Sequence, residues 1–161
     1  MIIRCETGDD VQVEGDSLVG ANLARLNLHR ALLEGQDLRE ADLSGSELRS
    51  ARLEGTVLDR AKLVGASLAA SESARASFAG ADLREAMMRS GGFEQADFSG
   101  ADLRDAKVGR ARFAGAIFFG ADVRCEGLET ANLRGAQANS GTRWPDGFDP
   151  TKHGVLVMPS T

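Results

Sequence analysis

The residues that could do chemistry in this chain are few and mostly scattered. Two histidines, His29 and His153, stand near opposite ends, and two cysteines, Cys5 and Cys125, are separated by 119 residues without a Cys-x-x-Cys spacing. Neither a metal site nor a disulfide framework follows from such placement. A nucleophile-histidine-acid arrangement would have to draw on one of those two histidines. No glycine-rich phosphate loop occurs. The one ordered set of reactive groups is a series of carboxylates at a spacing of twenty residues or its multiple, Asp42, Asp82, Asp102 and Asp122. Carboxylates in a regular exposed row have no pocket to desolvate them, and general acid or base work requires such tuning. The row points to recognition, and the chain reads as a non-enzyme that needs no cofactor.

The elements that position this row follow from a repeat of five. From Asp16 the chain divides into twenty-five consecutive blocks: DSLVG, ANLAR, LNLHR, ALLEG, QDLRE, and so on to ANLRG and AQANS. The third position holds Leu, Phe, Val or Met except at Ser73 and Ala138, and the first is Ala in seventeen blocks. Five matches neither the 3.6-residue period of an α-helix nor the two-residue period of a strand. The pattern of a small residue, Asn or Asp, Leu or Phe, and two variable positions resembles the pentapeptide-repeat family over residues 16 to 140.

That resemblance implies an all-β fold, a single right-handed quadrilateral β-helix of about six coils, with four blocks to a coil. Coils at the usual inter-strand spacing make a rod about 29 Å long. Residues twenty apart should then stack. Phe78, Phe98 and Phe118 fall in one column, and Phe93 and Phe113 in the adjacent one, as ring stacking in a narrow core favours. Ser73, in the second of these columns, is expected to make room for Phe93 and to bond a backbone carbonyl. The division expected is an N-terminal cap over residues 1–15, the β-helix over 16–139, and a capping tail over 140–161. Glu126 in a first position and Ala138 in a third signal a loosening end. Trp144 and Phe148, around the turn Pro145-Asp146-Gly147, read as aromatic anchors of the cap, and Trp-Pro-x-Gly-Phe-Asp-Pro tails resemble those of other family members.

A net charge of −5 argues against direct nucleic-acid binding, which relies on Lys and Arg meeting phosphates. The first ten residues hold only a three-residue apolar run, too short for a signal-peptide core, and no stretch is long enough to span a membrane. The expected location is cytoplasmic.

Function must therefore be read from the outward second, fourth and fifth positions. Pentapeptide-repeat proteins that protect DNA gyrase act as duplex mimics, and the resemblance implies such a role for Asp42, Asp82, Asp102 and Asp122, with a type II topoisomerase as partner. Arg84, Arg104 and Arg124 lie two residues after the last three aspartates and oppose that field, so a solvated charged face is the other reading. Ile117 and Phe119, apolar at outward positions, together with Trp144 and Phe148, form a candidate apolar contact or dimer patch. The chain reads as a monomer or homodimer, and a structural, self-assembling scaffold is the alternative function. Proline and glycine from Pro145 to Pro159 make a long terminal helix unfavourable, leaving Val155 to Met158 as a strand for its own rod or a second copy.

Overall fold

The computed structural model describes residues 1–159; Ser160 and Thr161, the end of the expected capping tail, lie outside the described residues. Each stretch of about twenty residues lies on the one before it, joined by parallel bridges between second positions. Four ladders result. The first runs Asp37, Val57, Ser77, Asp97, Ile117, Gln137 and Leu156; the second runs Asn22, Asp42, Lys62, Asp82, Asp102, Asp122 and Arg143. The third runs from Asn27 through Met87 and Lys107 to Glu126, and the fourth from Leu32 through Arg112 to Asn132.

Hydrogen bonding explains why five residues make one unit. Around Leu83, the Leu83 N–H donates to Asp102 O (2.8 Å), Glu85 N–H to Arg104 O (3.0 Å), and Asp102 N–H back to Ala81 O (3.0 Å), while Ala86 N–H closes a turn on Leu83 O (3.1 Å). Most blocks repeat this scheme, and it leaves one backbone donor without a carbonyl, the N–H of the fourth position. A short side chain at the second position can accept from a donor two residues on. Asn22 serves Ala24, Asp42 serves Ser44, Asp97 serves Ser99 and Asn132 serves Arg134, all at 2.8–3.2 Å. The preference for Asn or Asp at the second position thus answers a backbone donor.

The third-position side chains fill the interior with the first-position alanines between them, nearly all fully buried. Phe78, Phe98 and Phe118 stack with ring centres 5.0 and 5.3 Å apart, and Phe93 and Phe113 with 5.4 Å. Rings of the two columns meet edge to face at 5.4–6.0 Å, so both columns share one core. Ser73 is buried there, but its hydroxyl pairs with that of Ser71 at 3.1 Å and not with a carbonyl as expected.

Fifth positions form the corners with left-handed backbone. Glycine suits that conformation, yet Glu85, Ser90, Asp105 and Arg110 hold φ of 56–61° as well. The twenty-residue hydrogen-bond register imposes the conformation whichever residue is present.

A second expectation fails. The register slips near the end of the repeat: Lys107 pairs with Glu126, nineteen residues on, whereas Asp102 pairs with Asp122 and Arg112 with Asn132, each twenty on. Glu126 is an exposed bridging residue instead of a small first-position one. The missing residue is restored by a 3-10 turn over Leu128–Thr130 that brings Leu128 into the core. Gly127, at φ 90°, lies against Gly109, and a Cβ there would sit 2.7 Å from the Gly109 nitrogen. Thr130 Oγ1 accepts from Arg110 N–H (3.0 Å) where a carbonyl would otherwise serve.

The ends are covered differently. Strand β1 (Ile2–Ile3) pairs antiparallel with β2 (Val11–Gln12), and Cys5 bridges Ala31. Glu6 fastens this segment through Arg30 (2.7 Å) and Arg52 (3.7 Å). At the other end β3 (Gln137–Ala138) receives β4 (Leu156–Val157) in parallel, so the terminal strand pairs with its own rod. Trp144 stands over Phe118 (6.3 Å) and stacks on Phe148 (5.4 Å), which stacks on His153 (4.6 Å).

The corners supply a test. A Cβ at Gly65 (φ +66°) would meet nothing within 4 Å. Gly65→Ala should therefore lower the unfolding free energy by roughly 1–2 kcal/mol through backbone strain alone, read from urea melts, while Glu85→Gly should not lower it.

Candidate interaction surface

The second ladder brings the predicted carboxylates into line. Asp82 bridges Asp102, which bridges Asp122, while Lys62 separates them from Asp42. Each of the three upper aspartates holds the guanidinium two residues on in a fork: Arg84 Nε and Nη2 donate to Asp82 at 2.8 and 2.6 Å, Arg104 to Asp102 at 2.9 and 2.6 Å, and Arg124 to Asp122 at 2.8 and 2.5 Å. The same carboxylates accept the backbone N–H of their arginine at 3.1–3.3 Å. Arg84 and Arg143 also approach the neighbouring coil's carboxylate, both at 3.9 Å. Asp42 has no guanidinium; it takes the Ser44 N–H and faces Lys62 on the next coil.

Electrostatics follow from this geometry. The arginine side-chain hydrogen bonds hold Asp82, Asp102 and Asp122 below the usual carboxylate range against the opposing effect of burial, and the Ser44 N–H does the same for Asp42. The acids stay ionised, but each is matched by a cation within 3 Å, so the row is a chain of dipoles. Across residues 17–140 seventeen acidic side chains face sixteen basic ones, a net of −1. The acidity of the protein lies instead in residues 1–16, where Glu6, Asp9, Asp10, Glu14 and Asp16 oppose Arg4 alone.

The apolar candidates separate into two groups. Trp144 and Phe148 are half-buried in the end cap. Ile117 and Phe119 are half-buried on the first ladder's side and lead through Gln137 and Asn139 to Leu156 and Met158, which are 55% and 41% exposed. The core residues Phe78, Phe93, Phe98, Phe113 and Phe118 are at most 1% exposed and take no part in the surface.

Other reactive groups are isolated. Burial pushes the Cys125 thiol up to about 12, and it raises that of Cys5. Among the described residues no three His, Cys, Asp or Glu side chains gather to hold a metal ion, and no helix is long and apolar enough to cross a membrane. The register slip opens a shallow cleft of ≈ 480 Å³ between Arg89 and Arg110 on one side and Glu126 and Glu129 on the other. The sequence carries a signal for the forks, the Asp-x-Arg spacing; for the slip it offers only Glu126 in a first position, because the deletion and insertion cancel in the block count.

The pentapeptide-repeat family model matches residues 17–55, 37–71, 74–105 and 96–125, with eight copies. No curated protein matched the sequence. Among solved structures the chain is similar to HetL of Nostoc sp. PCC 7120, a pentapeptide repeat protein involved in heterocyst differentiation regulation, at 30% identity over 85% of this chain, with a TM-score of 0.36. It spans 66% of HetL's length. A second pentapeptide repeat protein of Nostoc is 27% identical over 73% of this chain and 84% of its own, with a TM-score of 0.41. QnrB1, a plasmid-mediated fluoroquinolone resistance protein, is 18% identical over 88% of this chain and 91% of its own, with a TM-score of 0.42.

The forks give stability a pH dependence. A carboxylate whose pKa is depressed by folding contributes above its unfolded value, about 4, and the contribution is lost as pH falls through the folded value. Denaturation midpoints should decline below about pH 4, and Asp82, Asp102 and Asp122 changed together to Asn should flatten that decline.

Proposed function

Because the chain belongs to the pentapeptide-repeat family, we propose that its coils close as a right-handed, four-sided β-helix and that it works as a non-enzymatic docking rod for a protein partner. The observation that carries this reading is the balanced charge of a rigid surface: residues 17–140 hold a net of −1 and expose their side chains at fixed positions. Nucleic acid would need a basic stripe. A small substrate would need an enclosed pocket with convergent polar groups, whereas the clefts of this rod are open and shallow. Contact with a protein needs only a shape-complementary face.

A type II topoisomerase is the most concrete partner the family suggests. One version, duplex mimicry by Asp42, Asp82, Asp102 and Asp122, has the in-line stacking of the last three in its favour. Against it stand the arginine forks, since matched charges 3 Å apart leave little field beyond a Debye length of about 8 Å. The reading preferred here is docking by surface shape and apolar contact, with the aspartates serving the backbone. A structural scaffold that assembles with itself is the alternative.

Gyrase supercoiling, with and without a quinolone, across a titration of this protein at two salt concentrations separates these readings. Docking by shape predicts inhibition or drug protection that persists when Asp82, Asp102 and Asp122 are changed to Asn; loss of the effect in that variant assigns it to duplex mimicry. An inert result at micromolar protein removes the topoisomerase, and nuclease-treated extract is then the source of partners. If no protein there binds saturably, the docking rod itself falls.

A further inference from the structure

The side that carries the first ladder gathers apolar residues at its outward positions. At Ile117, as at Val57 and Met87, the repeat places an apolar residue where Asn or Asp serves the N–H two residues on, and the Phe119 N–H has no partner among the described residues. Phe119 adds a second apolar side chain at the same level. Nothing in the coil asks for either, because the interior at this level is already filled by Phe118. A position that breaks a local rule without a structural gain is where function is expected. Beyond the coil of Gln137 and Asn139, Leu156 and Met158 extend the same two columns.

Charge sharpens the picture. From Val57 to Met158 the second- and fourth-position columns of this side contain Asp59 and Asp97 and no Lys or Arg. Asp59 accepts the Ser77 hydroxyl and is faced by Arg39 on the coil below, whereas Asp97 accepts the Ser99 N–H (2.8 Å) and has no arginine fork. The nearest corner cations lie toward the N-terminal end: Arg60, already paired with Glu40 (2.8 Å), and Arg75. Above Asp97 the corners are Gly100, Gly120, Gly115 and Gly135, which raise no side chain above the plane.

We propose that this side is the docking face of the rod and that its occupant is a protein segment with apolar side chains beside Lys or Arg, the apolar part meeting Ile117, Phe119, Leu156 and Met158 and a cation meeting Asp97. The inference rests on the docking-rod reading and names its surface. A second copy fits less well, because two such sides would bring carboxylates together with no cation between them. At about 4.8 Å per coil the strip measures on the order of 300 Å², the scale of a transient contact, and micromolar or weaker affinity is expected.

The test is amide chemical-shift mapping on the intact protein with three twelve-residue peptides: one alternating Leu and Lys, one with Glu for Lys, and one with Ser for Leu. The Leu-Lys peptide should bind saturably and shift Asp97, Ile117, Phe119 and Leu156, at least tenfold more tightly than the others. Ile117→Asn restores the missing acceptor, so it should weaken the peptide at least tenfold while leaving the melting temperature unchanged or higher. A lower melting temperature would make Ile117 a structural residue and overturn the proposal. So would equal binding of the Glu peptide, shifts confined to the acidic residues 1–16, or concentration-dependent shifts of this side without peptide, which would mark a second copy. If the protein partner found by the supercoiling or extract experiments binds the Ile117→Asn variant as well as the unchanged protein, this face falls while the docking rod stands; if neither form binds a protein, the docking rod falls first.

Discussion

The structure depends on one constraint: each backbone group must find its partner on the coil twenty residues away. The third position faces inward because its N–H and its neighbours' carbonyls are held in that register, and its side chain has nowhere else to go. Small first positions follow, since the space beside a Leu or Phe admits little more than the methyl of Ala or the short side chains of Ser46, Thr56 and Ser71. Left-handed corners follow too, and they override residue preference, as Glu85 and Arg110 demonstrate. The fourth-position N–H is the remainder of this scheme. The most recognisable polar feature of the sequence, its repeated Asn and Asp, answers that remainder.

Most of the fold was legible because the constraint acts on every block alike. The period of five, the inward Leu and Phe, and the two phenylalanine columns are visible without coordinates, and the rings stack in those columns. The slip at Glu126 was hidden for a physical reason. A residue lost before Glu126 and one gained by Leu128 leave Asn132 in register, so a count of blocks passes over both. Ser73 pairs with Ser71 because the two first- and third-position hydroxyls share one buried site, a contact across a block that a column-by-column reading does not contain. The terminal strand was legible as a strand, whereas its partner was not, since Leu156 to Met158 offer the same edge to any neighbour.

The candidate surface was legible in its residues, and the Asp-x-Arg spacing already offered two meanings for it. A row of aspartates one coil apart has the spacing of a charged polymer, and the eye assigns it a field. The coordinates give each upper aspartate three tasks inside the protein: two bonds to a guanidinium and one to a backbone N–H. Exposed pairs of this kind contribute little stability, about 0–1 kcal/mol, but they neutralise the row.

It follows that the informative outward positions are those where the acceptor is missing. An Asp at the second position is explained once the N–H two residues on is considered, and its presence says little about partners. An apolar residue there leaves a donor open to water and an oily side chain exposed, and selection for stability alone would remove it. Leu32 has a local reason, because its N–H donates to Arg4 O beneath the N-terminal segment. Val57 and Met87 share the missing acceptor with Ile117, but Ile117 adds the apolar Phe119 two residues on, and its neighbours further along the ladder are uncharged up to the end of the described chain. The backbone bond accounts for an aspartate at the second position, and it leaves the run from Ile117 and Phe119 to Leu156 and Met158 as surface without a task inside the protein.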